Sequence, residues 1–218
     1  MTTNEDHPQG TSAAAKGATI GLLHRLGNFL FRNRSYTPVP LAIVLVWLAE
    51  VNLPSAIVGL VLVFGGELLR LTAVRSFGRG VRTRQVGAHQ LVTWGLYAYT
   101  RNPLYLGNLL LWVGVVVFAS GRAMPWMLGT VLIFFLLQYT LIISLEEAKL
   151  RDLFGESYRR YCQAVPRVFP RIRRKQDSVQ TEKATLKIWR YAFRHERSTL
   201  WAIAAILLLT LLSSYLKA

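Results

Sequence analysis

Cysteine is almost absent from this chain: Cys162 stands alone among 218 residues. One thiol closes no intrachain disulfide and builds no thiolate metal cluster within one chain. Histidine is scarce too, and His7, His24, His89 and His195 are scattered without metal-ligand spacing, so no metal is expected. Negative charge is also short. Eleven Asp and Glu stand against 26 Lys and Arg, and charged residues make up only 17% of the chain. So little charge beside 52% hydrophobic residues argues against a water-soluble globule.

What the chain has instead is apolar blocks near the roughly 20 residues that a membrane-spanning helix needs. Five are read: about 39–51, opened by Pro38 and Pro40; 54–74, starting at Pro54; 103–120; 125–145; and 199–216. The expected fold is an all-α integral membrane protein with about five transmembrane helices. The first block is short and is expected to be the weak crossing, tilted or re-entrant. The links Glu50 to Pro54 and Gly121 to Pro125 are brief enough to make two antiparallel hairpins.

Residues 1–20 are small and polar and read as a disordered tail, not a cleavable signal, because Arg25, Arg32 and Arg34 precede the first apolar block. Residues 20–33 predict a short basic amphipathic helix on the membrane surface. The expected organisation is a tail with this helix over 1–37, a membrane core over 38–170, and a basic linker with a C-terminal transmembrane helix over 171–218.

The excess of basic residues sits between and beside the apolar blocks, which points to a lipid bilayer as partner and not to nucleic acid. Residues 75–101 carry Arg75, Arg79, Arg82, Arg84 and Arg101 with no acid, and 146–197 are strongly basic. The link at 121–125 has only Arg122. The positive-inside rule then sets the N-terminus in the cytoplasm and the C-terminus outside after five crossings. A bacterial inner membrane is the expected location.

Antiparallel third and fourth spans return Arg101, Asn102, Tyr105, Glu146 and Glu147 to one membrane face, although some 40 residues separate the two groups. Two adjacent carboxylates closing an apolar helix are costly and oppose the helix dipole, so a cation is expected to compensate them. The residues leave open whether this is Arg151, Arg101, headgroup water or a cationic ligand. Glu67 and Arg70 read as an i, i+3 ion pair, and Asn108 as a hydrogen-bonding partner for a neighbouring helix. Tyr158 and Tyr161, with Leu150 and Phe154, read as a packing face. Cys162 reads as an unreactive helix residue.

Pattern adds to this. His89-Gln-Leu-Val-Thr-Trp-Gly-Leu-Tyr97 leads into Arg101-Asn-Pro-Leu-Tyr105-Leu-Gly107, and Glu146-Glu147 is followed by Phe154-Gly155-Glu-Ser-Tyr158-Arg-Arg-Tyr161 and Val165-Pro166-Arg167. Over about residues 75–170 this resembles the isoprenylcysteine carboxyl methyltransferase and phospholipid methyltransferase superfamily. The resemblance implies an S-adenosylmethionine-dependent methyltransferase with a cytosolic cofactor site at the helix ends. By position it implicates His89, Gln90, Leu91, Val92, Tyr97, Arg101, Asn102, Pro103, Leu104, Tyr105, Glu146 and Glu147 as cofactor-binding. Arg167 is implicated in substrate binding, and no residue is assigned a catalytic proton transfer.

The implied acceptor is lipophilic or membrane-delivered: a prenylcysteine-like carboxylate, a lipid amine or a thiol. Two departures bear on it. Asn102 stands where a His is commoner, and Ile142 where prenylcysteine enzymes carry a substrate-contacting Arg. A membrane reductase of related fold using a nicotinamide cofactor, or a non-catalytic scaffold, are the rival readings. Tyr97 and Tyr105 have a rival reading as interfacial belt residues.

Overall fold

The computed structural model describes residues 25–77, 91–119, 121–171 and 186–217. These residues form helix α1 (25–33), α2 (Val39–Trp47), α3 (Leu53–Phe77), a single 3-10 turn (Gly95–Ala98), α4 (Pro103–Ala119), α5 (Met124–Ala164) and α6 (Leu186–Tyr215). Leu53–Ser76, Met124–Ala164 and Trp189–Tyr215 are long and apolar enough to cross a membrane; α4 is a shorter apolar helix. The first expected span is only the nine-residue α2. At 1.5 Å per residue that is about 14 Å, half of a hydrocarbon core of about 30 Å.

The fourth span runs further than its apolar block. It continues as α5 for 41 residues, and the part before Gly155 alone runs about 46 Å, longer than a hydrocarbon core of about 30 Å. Gly155 interrupts it with φ 48°, ψ −120°, a left-handed geometry that glycine adopts without a Cβ clash. The last helix likewise starts at Leu186, before its apolar block, and carries basic residues into its first turns.

Small residues make the closest helix pair. Gly59 and Gly66 on α3 lie two turns apart on the seam that meets Gly107 and Gly114 on α4. A Cβ at Gly66 would come within 2.7 Å of the Leu111 nitrogen and 2.8 Å of the Gly107 oxygen. Backbones this close gain dispersion contact that lipid chains cannot offer, which is how helices associate in an apolar solvent. The α2 helix packs chiefly on α6 and α4 and hardly on α3, so the expected first hairpin is short-linked but splayed. Its Leu45 joins Leu111, Val115, Val131, Phe135 and Ile203 in the main core.

One polar cluster crosses this apolar bundle. Arg70 of α3 pairs with Glu67 at 3.4 Å and, across to α6, with Glu196, and it donates to Asn108 of α4 and, at 3.1 Å, to Thr199. The expected Glu67–Arg70 pair and the interhelical role of Asn108 are both present. Arg70 meets Glu196 near the start of α6, while Val51 N donates to Ser214 Oγ at 2.9 Å near its end, so α3 and α6 are antiparallel. The α4–α5 pair is antiparallel by the same test, with Tyr105 at Glu146 and Trp112 at Phe135. Residues 34, 101–105, 144–147 and 161–168 therefore collect at one end of the bundle.

Candidate functional site

The two glutamates occupy one helix turn but serve different neighbours, because successive residues on a helix point about 100° apart. Glu146 faces α4 and α1. Its Oε1 accepts the Tyr105 hydroxyl at 2.9 Å and lies 3.6 Å from Arg34 Nη1. The Tyr105 ring is itself held against Tyr139, with centroids 4.7 Å apart.

Glu147 faces the other way and is almost wholly buried, its side chain 8% exposed. Three guanidinium groups approach it: Arg101 at 3.2 Å, Arg167 at 3.5 Å and Arg151 at 3.9 Å. Of the compensating groups left open by the sequence, Arg101 and Arg151 are both present, and Arg167 joins them. A buried carboxylate is tolerable only when so paired, since an isolated charge loses its hydration for nothing.

The Arg-Asn-Pro segment is fixed by backbone bonds to the end of α5. Arg101 N donates to Pro166 O at 2.9 Å, and Arg171 N to Tyr99 O at 3.1 Å. Asn102 Nδ2 donates to Arg167 O at 2.9 Å, and Thr100 Oγ1 to Val168 O at 2.8 Å. Pro103 then opens α4, where its missing N–H costs no hydrogen bond. The arginine side chains are directed inward by further contacts. Arg101 Nη1 donates to Cys162 Sγ at 2.6 Å, and Arg167 Nη2 to Ser144 Oγ at 2.7 Å.

The 3-10 turn supplies the remaining wall. Tyr97 is buried against Ala73 and Val92, and its carbonyl accepts the Tyr161 hydroxyl at 2.7 Å. Neither Tyr97 nor Tyr105 is an exposed belt residue. Leu104 packs between α3 and this turn, and Leu91 lies against the cluster of Tyr158, Tyr161 and Val165. Tyr158 and Tyr161 therefore form the expected packing face with Leu150 and Phe154. His89 and Gln90 lie outside the described residues. Ile142 is fully buried, 0% exposed.

Arg101, Asn102, Tyr105, Glu146, Glu147 and Arg167 are thus brought together, with Tyr97 behind them. Arg34, Ser144 and the Cys162 thiol are additions that the sequence did not signal. Arg34 comes from a segment read only as a membrane-surface helix, and Ser144 from an apolar run.

The arrangement offers opposite charges side by side at a helix end. Of its buried side-chain atoms, Glu147 Oε1 and Arg167 Nε make ion-pair contacts but no hydrogen bond, and Arg101 Nε makes no hydrogen bond among the described residues. Such a site is suited to a polar ligand carrying both acceptors and donors.

A family model described as "Protein of unknown function (DUF1295)" matches residues 40–165, that is α2 through α5, leaving α1 and α6 outside. Among curated proteins, the chain is similar to protein-S-isoprenylcysteine O-methyltransferase B of Arabidopsis thaliana, 34% identical over 116 residues, covering 51% of this chain and 57% of the relative. The protein-S-isoprenylcysteine O-methyltransferase of Schizosaccharomyces pombe is 34% identical over 111 residues, 49% of this chain and 46% of the relative. Methanethiol S-methyltransferase 1 of Bradyrhizobium diazoefficiens is 36% identical over 75 residues, 34% of this chain and 24% of the relative. The chain spans about half the length of the isoprenylcysteine relatives it matches. No solved structure matches.

Proposed function

Because the chain belongs to the DUF1295 family, and with it to the isoprenylcysteine carboxyl methyltransferase-like membrane proteins, we propose that it transfers a methyl group from S-adenosylmethionine to a lipophilic or membrane-delivered acceptor. The observation that carries this reading is the junction of Tyr105 with Glu146 beside the arginine-ringed Glu147, at one end of a membrane bundle. The residues fit the cofactor by donor chemistry. A carboxylate suits ribose hydroxyls or an ammonium, and guanidinium groups suit a carboxylate.

In this reading Glu146 binds the cofactor's polar end, with Tyr105 holding the carboxylate in one orientation. Asn102 and Pro103, tied to the 166–168 segment, set the start of α4 against it. Arg101 and Arg167 pair with Glu147 inside the fold, and Arg167, half-exposed, draws an anionic acceptor or headgroup toward the site. The chemistry supplied by the cofactor when bound is an electrophilic methyl group on a sulfonium, so the protein's work is alignment and exclusion of water.

The relatives act, by their names, on a prenylated cysteine and on methanethiol. A carboxylate or thiolate acceptor needs no general base, whereas an ammonium does. Because the relatives come from plants, a yeast and a bacterium, the similarity does not select the bacterial inner membrane expected above. Calorimetry on detergent-purified protein tests the reading directly. Saturable binding of S-adenosylmethionine is expected; binding of a reduced nicotinamide cofactor with no S-adenosylmethionine binding would falsify it.

A further inference from the structure

The contact between Arg34 and Glu146 brings a charge into the site from before the family-matched residues 40–165, as Arg167 does at Glu147 from just after them. Arg34 sits at the end of α1, and several interactions fix its position. Gly27 brings α1 against α5: a Cβ there would lie 3.2 Å from Leu145 Cδ1 and 3.7 Å from the Leu141 carbonyl. The Thr37 hydroxyl donates to Arg34 O at 3.4 Å and accepts from Gln138 Nε2 of α5 at 2.7 Å. The guanidinium stacks over the Phe31 ring, 4.6 Å from its centroid. An arginine held in this way loses less side-chain freedom on binding a ligand than a free surface arginine does.

The guanidinium is not consumed by its partner. At 3.6 Å, Arg34 Nη1 and Glu146 Oε1 attract as charges but lie beyond hydrogen-bonding distance, and the Arg34 side chain is 38% exposed. The Tyr105 hydroxyl and Arg34 both address Oε1, so neither contact uses Oε2. A loosely closed pair of one carboxylate and one guanidinium, each with bonding capacity left over, is complementary to a group bearing an ammonium and a carboxylate on the same carbon.

We propose that Arg34 and Glu146 together clamp an α-amino-acid zwitterion, Glu146 taking the ammonium and Arg34 the carboxylate. This rests on the reading of the site as one for S-adenosylmethionine, whose amino-acid end is such a zwitterion. It makes α1 part of the binding site, although α1 lies outside the family-matched core. The ligand's two charges replace the charge contact between Arg34 and Glu146 with two charge-assisted hydrogen-bonded pairs, which are the stronger kind.

The test compares S-adenosylmethionine with its decarboxylated analogue, which keeps the sulfonium, adenosine and ammonium but lacks the carboxylate. Calorimetry is run on the full-length wild type and on Arg34→Gln, with a thermal melt on each. Wild type is expected to bind the parent about tenfold more tightly than the analogue. Arg34→Gln is expected to lose that preference, with the parent weakened about tenfold and the analogue unchanged; Arg34→Lys restores part of it.

Equal weakening of both ligands shows that Arg34 does not read the carboxylate and overturns the proposal. So does a variant that binds the parent more tightly, because Arg34 would then be a competitor for Glu146. Wild type that binds S-adenosylmethionine while preferring neither ligand overturns the clamp and leaves the methyltransferase reading standing. Wild type that binds neither overturns both.

Discussion

Tyr105 donates its hydroxyl to Glu146 at 2.9 Å across 41 positions of chain. The bond joins the first turn of α4 to the point where α5 leaves the apolar part of the bundle, and it holds the carboxylate beside Arg34.

Glu146→Gln keeps the shape of the side chain and removes its charge. Loss of a charge-assisted hydrogen bond costs about 1.5–3 kcal/mol, so affinity for S-adenosylmethionine should fall roughly tenfold to a hundredfold. A role in packing alone would instead leave binding near wild type while the melting temperature moved. Calorimetry and a thermal melt on the same preparations distinguish these outcomes.

Gly66→Ala should destabilise the bundle. The new Cβ meets the backbone of Leu111 and Gly107 at 2.7 and 2.8 Å, and backbone cannot move aside as a flexible side chain does. Overpacking of this kind costs about 1–3 kcal/mol, read as a lower melting temperature in detergent. Gly129→Ala is the control, since a Cβ there has nothing within 4 Å. Equal melts for the two variants would contradict the close α3–α4 seam.

Glu196→Ala should loosen α6. Glu196 is buried to 1% exposure and pairs with Arg70, which also meets Glu67 at 3.4 Å, so its removal takes one of two buried counter-charges from Arg70. Loss of this one charge-assisted bond costs about 1.5–3 kcal/mol, and removing Glu67 in the same protein, which strands Arg70, should destabilise it further. A Glu67→Ala, Glu196→Ala double variant as stable as Glu196→Ala would show that Arg70 does not depend on these two carboxylates.

An S-farnesylcysteine acceptor should be methylated poorly beside a small thiol or a lipid amine. Position 142 holds a fully buried Ile and offers no cation to a prenylcysteine carboxylate. Comparable kcat/KM for the two kinds of acceptor would place recognition of the carboxylate elsewhere, with Arg167 the next residue to substitute.

Topology is tested with single cysteines after Cys162→Ser. Arg84→Cys and Asp177→Cys should resist a membrane-impermeant thiol reagent in intact cells, and Ala218→Cys should react, as five crossings require. Equal labelling at positions 84 and 218 would remove the odd number of crossings.

Composition and apolar blocks were enough to determine a helical membrane protein, because burial in lipid demands long apolar helices whatever their arrangement. The motif spacing and antiparallel hairpin at 121–125 also made legible that Arg101, Asn102 and Tyr105 return to Glu146 and Glu147. Only the tertiary structure decided how those charges are shared. The 100° between consecutive helical residues sends Glu147 into a ring of Arg101, Arg151 and Arg167, and Glu146 toward Tyr105. Apolar periodicity likewise did not foretell that α2 is nine residues long and packs on α6, or that Arg34 reaches Glu146 from before the family core. Lengths and faces follow from each residue's own chemistry, but partners follow from which helices meet, and that depends on the packing of the whole bundle at once.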